Sequence, residues 1–288
     1  RVAATVTAPV SPPSLLTLVS NRAVAGEPEV SASVVAIEDS VATVTAATPA
    51  SGALVWLRGV NVTNSTLEIT RCTAHVAGEN AVALLADEVD VTDDSFIRVE
   101  YIAGTITTTT SGGSSAAVVA LHNSAVRNGT TMDLRHIGPG ALALAGRYLR
   151  LLQISATASP DQNTYFTIDN VSVAVNAAVH AAAIRFVGTH PNDASFMRLR
   201  VFVTGSQLRF SANAAYFVSM SGSNPAYLGF MRVVDSSIEV NATAAAAVFA
   251  YDDRGHVTQT RTFTLLFQRS ALAARSASAN ALLVALAV

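Results

Sequence analysis

The sequence lacks lysine and contains one cysteine, and both absences exclude classes of protein. All 18 basic residues are arginine, they are nearly balanced by 20 acidic residues, and charged residues make up only 13% of the 288. An even charge balance without a basic stripe argues against a nucleic-acid partner. A single cysteine, Cys72, excludes a disulfide framework within the chain, and we interpret it as a small buried side chain. A hydrophobic content of 50% excludes a disordered chain.

Motifs for metals, nucleotides and nucleophilic catalysis are also missing. The histidines show no metal-ligand spacing; they are His75, His122, His136, His180, His190 and His256. No phosphate-binding loop, dinucleotide fingerprint or GxSxG motif occurs. No apolar run approaches the roughly 18 residues of a membrane span. We therefore expect no metal or other cofactor, and membrane attachment only through segments outside this chain.

A strand–turn–strand unit recurs along the chain. Residues 60–69 (VNVTNSTLEI) and 201–210 (VFVTGSQLRF) each have an apolar alternating pair, a small polar turn with Ser, and a second apolar pair. With Ser as position zero, the apolar residues fall at −5, −3, +2 and +4. A straight strand keeps one parity, so the change of parity predicts a bend with both strands facing one interior.

The same frame fits eight places, with Val171 in the Ser position at one of them. The other predicted corners are Ser40, Ser65, Ser95, Ser124, Ser206, Ser236 and Ser270. Successive corners are separated by 25, 30, 29, 47, 35, 30 and 34 residues. The long interval predicts either a degenerate unit near residues 149–154 or an inserted loop. Asn and Asp near the corners suit bends because they tolerate left-handed backbone.

This spacing favours an all-β fold, a right-handed parallel β-helix (a solenoid). A β-sandwich is the alternative, since it also alternates strands with turns. We predict an extended lead-in over residues 1–15 and a single β-helix repeat domain over 16–288, as a fragment of a longer chain. The Ala-rich stretches 177–183 and 244–247 are interpreted as strands. Loops are expected at 105–115, 159–164, 190–194 and 251–258.

Several units resemble a known family of surface proteins. Residues 233–240 (VVDSSIEV) and 60–69, in a lysine-free background rich in Ala, Val and Thr, look like the dispersed gene family protein of trypanosomes and related kinetoplastid surface proteins. The unit is also similar to that of pectin-lyase-like parallel β-helix proteins in general. The resemblance implies a repetitive β-rich ectodomain of a membrane-anchored surface protein with a role in adhesion.

Five Asn-x-Ser/Thr sequons are candidate glycosylation sites: Asn61, Asn64, Asn128, Asn170 and Asn241. Bends face outward and can carry a glycan. The best catalytic candidates are Asp252, Asp253 and His256, because β-helix hydrolases and lyases use acidic clusters with a nearby His. A solvated turn around Gly255 is the simpler interpretation of the same residues.

The sequence therefore supports two hypotheses. The first is a non-enzymatic module, secreted or on the cell surface, that binds a glycan or protein of a host or matrix. The second is a polysaccharide lyase or glycoside hydrolase on the same fold. The second predicts that at least three carboxylates or basic groups converge on one face.

Overall fold

The chain forms a parallel β-solenoid, which confirms the predicted fold class. The computed structural model describes residues 3–8, 14–19, 29–47, 50–109, 114–156, 164–188, 200–221, 229–252, 263–278 and 281–287. These residues contain strands and no helix. Every strand pairing in them is parallel and joins successive turns. A β-sandwich is built from antiparallel sheets, whose neighbouring strands can be joined by short hairpins. The parallel pairings therefore exclude that alternative.

The strands stack into five parallel sheets: an early turn visits sheets I, II, III and IV in order, and in the later turns sheet V follows sheet III instead. Sheet I contains β2 (Ser14–Val19), β6 (Gly52–Arg58), β10 (Ala81–Asp87), β14 (Ser115–Val126), β17 (Tyr148–Ala156), β19 (His180–Gly188), the second half of β21 (Gln207–Ser221), the second half of β23 (Ser237–Asp252) and β26 (Ala281–Ala287). Sheet II contains β3 (Glu29–Ser31), β7 (Asn61–Thr63), β11 (Asp90–Thr92) and the end of β14.

Sheets III, IV and V complete the turns. Sheet III contains β4 (Val34–Glu38), β8 (Thr66–Thr70), β12 (Phe96–Glu100), β15 (Thr131–Ile137), the first half of β18 (Tyr165–Asn176), β20 (Arg200–Thr204), β22 (Gly229–Val234) and β24 (Phe263–Gln268). Sheet IV contains β1 (Ala3–Ala8), β5 (Val41–Ala46), β9 (Thr73–Gly78), β13 (Ala103–Thr108) and β16 (Leu142–Ala145). Sheet V follows sheet III in the later turns and contains the end of β18, the starts of β21 and β23, and β25 (Ala271–Ser276).

The predicted change of parity places the apolar pairs inside the solenoid. Around Ser236, the side chains of Met231, Val233, Ile238 and Val240 are at most 1% exposed. Their equivalents in the other turns form one continuous core. Burial of such side chains contributes roughly 1.5–3 kcal/mol each, so the stacked interior supplies the main stabilising term.

The predicted corners belong to three different bends rather than one. Ser124 lies between sheets I and II, Ser65 and Ser95 lie between II and III, and the remaining corners follow sheet III. Registers in sheet III give a turn of 30 to 35 residues. The apparent 47-residue gap is therefore neither a degenerate unit at 149–154 nor an insertion. The missing bend lies at His136, whose φ is 51°.

Serine at these bends has a structural cause. Ser206 Oγ donates to the Thr204 carbonyl at 2.8 Å and accepts the Val171 N–H of the preceding turn at 3.1 Å. Ser236 and Ser270 repeat the arrangement one and two turns later. The buried hydroxyl thus satisfies a backbone N–H that would otherwise lack a partner. We call this column of hydroxyls the serine ladder.

Cys72 occupies the same place in an earlier turn. Its Sγ lies 3.2 Å from the Thr70 carbonyl and 3.3 Å from the Ile37 carbonyl, and the thiol is buried. Burial raises the pKa of the thiol. Cys72 is thus a structural substitute for the ladder serine, in agreement with the small buried side chain expected from the sequence.

The Ala-rich stretches are strands as predicted, within β19 and β23 for the greater part. The loop predicted over 105–115 is wrong at its start, because β13 extends to Thr108 and Ile106 is fully buried. The expected lead-in contains β1, which pairs in register with β5. The other three predicted loops lie largely outside the described residues.

Candidate functional site

The outer side of sheet III carries charge in its early turns. Glu68, Arg98 and Asp133 occupy the same position in successive turns. Arg98 lies 3.6 Å from the Glu68 carboxylate and 3.5 Å from that of Asp133, and Arg135 lies 3.2 Å from Asp133. The convergence required by the enzyme hypothesis therefore exists here. Each carboxylate is held by a guanidinium, however, which is the arrangement of an ion-pair network.

The later turns of the same outer side carry an aromatic cluster, defined as Tyr165, Phe202 and Phe230. The rings of Tyr165 and Phe202 are 6.1 Å apart, and those of Phe202 and Phe230 are 5.9 Å apart. The Arg200 guanidinium lies over the Tyr165 ring at 5.3 Å. All three rings are partly exposed, and Leu266 in the next turn is 37% exposed. Exposed apolar patches of this kind mark interaction sites.

The outer side of sheet I is unusual because it is also buried in its early turns. A small second apolar cluster forms there: Ala53, Val82, Leu85, Ala117 and Ala120, with Trp56 packed against it. Along the same two outward columns, the next turns replace these residues by polar ones. Arg150 follows Ala117, and Gln153 follows Ala120.

These polar residues form a cationic cluster, defined as Arg150, Arg185, His180, Gln153 and His122. Arg150 donates to Gln153 Oε1, the side-chain amide oxygen, and Gln153 Nε2 lies 3.2 Å from His122 Nε2. Arg185 donates to His180 Nε2 at 3.0 Å. Arg150 is 6% exposed and His180 is 8% exposed, although both lie on the outer side of the sheet.

The electrostatics of the cationic cluster are dominated by burial. Burial, together with the charge of Arg185, lowers the pKa of Arg150 to about 9. Burial and the two guanidiniums lower the pKa of His180 to about 3, so its imidazole is neutral near pH 7. No carboxylate of the described residues acts on either arginine. Among the described residues, buried Arg150 and half-buried Arg185 therefore have no acidic counter-ion.

A groove on the outer side of sheet V encloses about 510 Å³ between the turn at Pro139 and residues of β21 and β23. Its charged groups are paired, because Arg209 lies 2.8 Å from the Glu239 carboxylate and Arg275 also contacts it. A hydrogen bond from Asn241, followed by these arginines, lowers the pKa of Glu239. The two charged residues that line the groove in the described part of the chain, Arg209 and Glu239, thus neutralise each other.

The predicted catalytic residues are not brought together in the described part of the chain. Asp252 is the last residue of β23, whereas Asp253 and His256 lie outside the described residues. Within the described ranges, no group of three or more His, Cys, Asp or Glu side chains could hold a metal ion. The described histidines are thus not gathered into a metal site.

The five sequon asparagines lie at bends or within strands. Asn64, Asn128 and Asn170 are exposed and have φ of 47°, 49° and 53°, which is the left-handed bend geometry that Asn tolerates. Asn61 and Asn241 are half-buried in strands. The Asn241 amide donates to Glu239 at 3.1 Å.

Sequence reasoning missed both the aromatic cluster and the cationic cluster. Their members are separated by whole turns, and no short motif marks them. The available signal was the turn length, because it determines which residues of successive turns become neighbours: Tyr148 pairs with His180, and Gln153 pairs with Arg185. Applied to sheet I, this register would have placed two arginines and a histidine together on the outer side.

Comparison with protein-family models, curated proteins and solved structures finds no match. Among the described residues, no helix is long and apolar enough to cross a membrane.

Proposed function

We propose that this chain is a non-enzymatic β-solenoid module, secreted or on the cell surface, that binds an extended glycan along the outer side of sheet III. The aromatic cluster carries the proposal. Its rings recur on successive turns, and neighbouring parallel strands lie roughly 4.8 Å apart. Aromatic faces at regular intervals suit a polysaccharide, because successive sugar rings along its chain can each stack on one of them.

The surrounding groups support a glycan more than a protein partner. The exposed Arg232, in the same column as Phe202, adds hydrogen-bond donors at the edge of the rings. Partly exposed aromatic rings combine apolar area with low loss of side-chain freedom on binding. The surface location is supported by Asn64 and Asn170 at exposed bends, and membership of the kinetoplastid surface-protein family is part of the same proposal.

Affinity electrophoresis in gels containing a panel of neutral and acidic polysaccharides tests the proposal. We expect at least one polysaccharide to retard the protein, and a Phe202→Ser/Phe230→Ser variant to lose most of the retardation. Val34→Ser is the matched control, because Val34 is 71% exposed on the same sheet outside the cluster. Equal retardation of all three proteins, or binding only to immobilised matrix protein, would contradict a glycan site here.

The alternative is a polysaccharide lyase or glycoside hydrolase. One observation favours it, namely a buried guanidinium of lowered pKa beside a neutral imidazole in the cationic cluster. Such groups suit proton transfer near a substrate carboxylate. Release of new reducing ends from an acidic polysaccharide, abolished in Arg150→Met, would favour this alternative. Cleavage abolished by Asp253→Ala instead would point to the acidic residues of the sequence hypothesis.

A further inference from the structure

We propose that Asn128 is a site of spontaneous deamidation, which turns the bend after β14 into a group of three carboxylates with Asp93 and Asp94. The bend shares no residue with the aromatic cluster on sheet III. The proposal therefore does not depend on the proposed glycan surface, and either can fail while the other holds.

The reaction uses an asparagine side chain and the backbone nitrogen of the next residue. The Gly129 nitrogen attacks Cγ of Asn128, and the Cγ–Nδ2 bond breaks as ammonia leaves with the proton of the Gly129 N–H. Water then opens the cyclic imide at either carbonyl, which leaves aspartate or isoaspartate. Glycine has no Cβ next to the attacking nitrogen, so ring closure meets the least hindrance at an Asn-Gly pair.

Two other exposed asparagines have the same left-handed backbone but a nitrogen that is held in place. Asn64 and Asn170 have φ of 47° and 53°. The N–H of Ser65, which follows Asn64, donates to a serine hydroxyl of the next turn at 3.2 Å. The N–H of Val171, which follows Asn170, makes the same kind of bond at 3.1 Å. Ser65 and Val171 are at most 3% exposed, so attack by either nitrogen first requires the release of a buried hydrogen bond.

The nitrogen after Asn128 is not held in this way. Gly129 is half-buried, and its N–H donates to no group among the described residues. With φ of 49° and 80°, Asn128 and Gly129 form the tight turn typical of Asn-Gly. The bond that closes the turn, from Thr130 N–H to the Arg127 carbonyl, is long at 3.4 Å. The bond from Asp94 N–H to the Asn128 carbonyl, at 2.8 Å, still restrains the turn, so the reaction is slower than in the unfolded chain.

Deamidation replaces an attraction at this bend by a repulsion. The Asn128 amide donates to Asp93 Oδ1 at 3.0 Å. Asp94 Oδ1 lies beside the Gly129 α-carbon, only 2.1 Å from the place that a Cβ would take. A carboxylate at position 128 loses the donated bond and adds a third negative charge. Nδ2 of Asn128 is also the atom to which a glycan on this sequon would be attached, so a glycan there prevents the reaction.

Peptide mapping by mass spectrometry tests the proposal. Protein expressed in bacteria, and thus without glycans, is incubated in mildly alkaline buffer, folded or unfolded in urea. The protection of each asparagine is its rate of deamidation in urea divided by its rate in the folded protein. Ser65→Gly supplies the matched control, because it makes a second Asn-Gly pair whose N–H can still bond the hydroxyl of the next turn.

We expect folded protein to accumulate aspartate and isoaspartate at position 128. Folding should protect Asn64 of Ser65→Gly at least about tenfold more than Asn128, because a buried hydrogen bond must open there first. Asn128→Gln should abolish the acidic form seen on ion exchange. Equal protection of the two Asn-Gly pairs, or intact Asn128 in folded protein after the unfolded protein has been converted, would overturn the proposal.

Discussion

Removal of one hydroxyl from the serine ladder should destabilise the solenoid measurably. In Ser206→Ala the Val171 N–H loses its acceptor, which lies at 3.1 Å, and both residues are at most 1% exposed. An unsatisfied buried donor costs about 1–3 kcal/mol. We therefore expect the free energy of unfolding to fall by about 2 kcal/mol, because no water can replace the hydroxyl in the packed interior.

Urea unfolding, followed by circular dichroism, measures the loss, and hydrogen exchange measured by mass spectrometry locates it. Exchange should accelerate in peptides that contain Val171. Ser206→Cys should recover part of the loss, since Cys72 fills the equivalent position. Ser31→Ala, at an exposed strand end, should change the free energy of unfolding by less than about 0.5 kcal/mol. A Ser206→Ala protein as stable as Ser31→Ala would refute the reasoning.

Three further predictions follow from particular residues. In the unfolded chain, His180 binds a proton below its ordinary pKa of 6.5, whereas in the folded protein it does so only near pH 3. The free energy of unfolding should therefore fall by up to about 1.4 kcal/mol per pH unit as the pH drops from 6.5 towards 3. Urea titrations at pH 6.5 and 4.5 should show a weaker pH dependence in His180→Gln, and parallel curves would refute the assignment. Gly104→Ala should destabilise by more than about 2 kcal/mol, because φ is 111° and a Cβ would lie 2.1 Å from the Ala74 carbonyl oxygen. Gly205→Asn, at an open bend with φ of 58°, should be near neutral. Thermal melts of both glycine variants measure the difference, and similar losses of stability would contradict this account. Arg150→Met should melt no lower than the parent protein in ligand-free buffer, and a large drop would show that its charge is already compensated.

The interior could be predicted because it depends on residue type and parity alone. Val, Ile, Leu and Phe alternate on both sides of each bend, and a change of parity has one geometric meaning. Asn and Asp at the bends were also informative. Eight of the fourteen non-glycine residues with positive φ in the described chain are Asn or Asp.

The assignment of bends could not be predicted from the serine motif. Ser65, Ser124 and Ser206 all follow an apolar alternating pair, yet they lie at three different bends. At each bend the Ser hydroxyl donates to the backbone carbonyl two residues earlier, and this hydrogen bond can form wherever a strand ends. The bend at His136 has neither Ser nor Asx. Its His136 ring instead stacks on Tyr101 of the preceding turn at 4.9 Å.

The cationic cluster depends on turn length, which varies from 30 to 35 residues in sheet III. Arg150 and Arg185 become neighbours only after the register between β17 and β19 is fixed. A shift of one residue would turn either side chain into the core. The structure was therefore needed to identify this cluster, because no pattern within a single unit of the sequence brings its members together.

The most direct test of the solenoid is a set of distances along its axis. Spin labels at Glu38, Thr204 and Gln268, introduced as cysteines in a Cys72→Ser background, occupy one outer column of sheet III. With a strand spacing of roughly 4.8 Å, the five steps from position 38 to 204 predict about 24 Å, and the seven steps from 38 to 268 predict about 34 Å. Distances that grow in this proportion would support the stacked parallel turns. Equal distances for the two pairs, or a shorter one for the second pair, would contradict them.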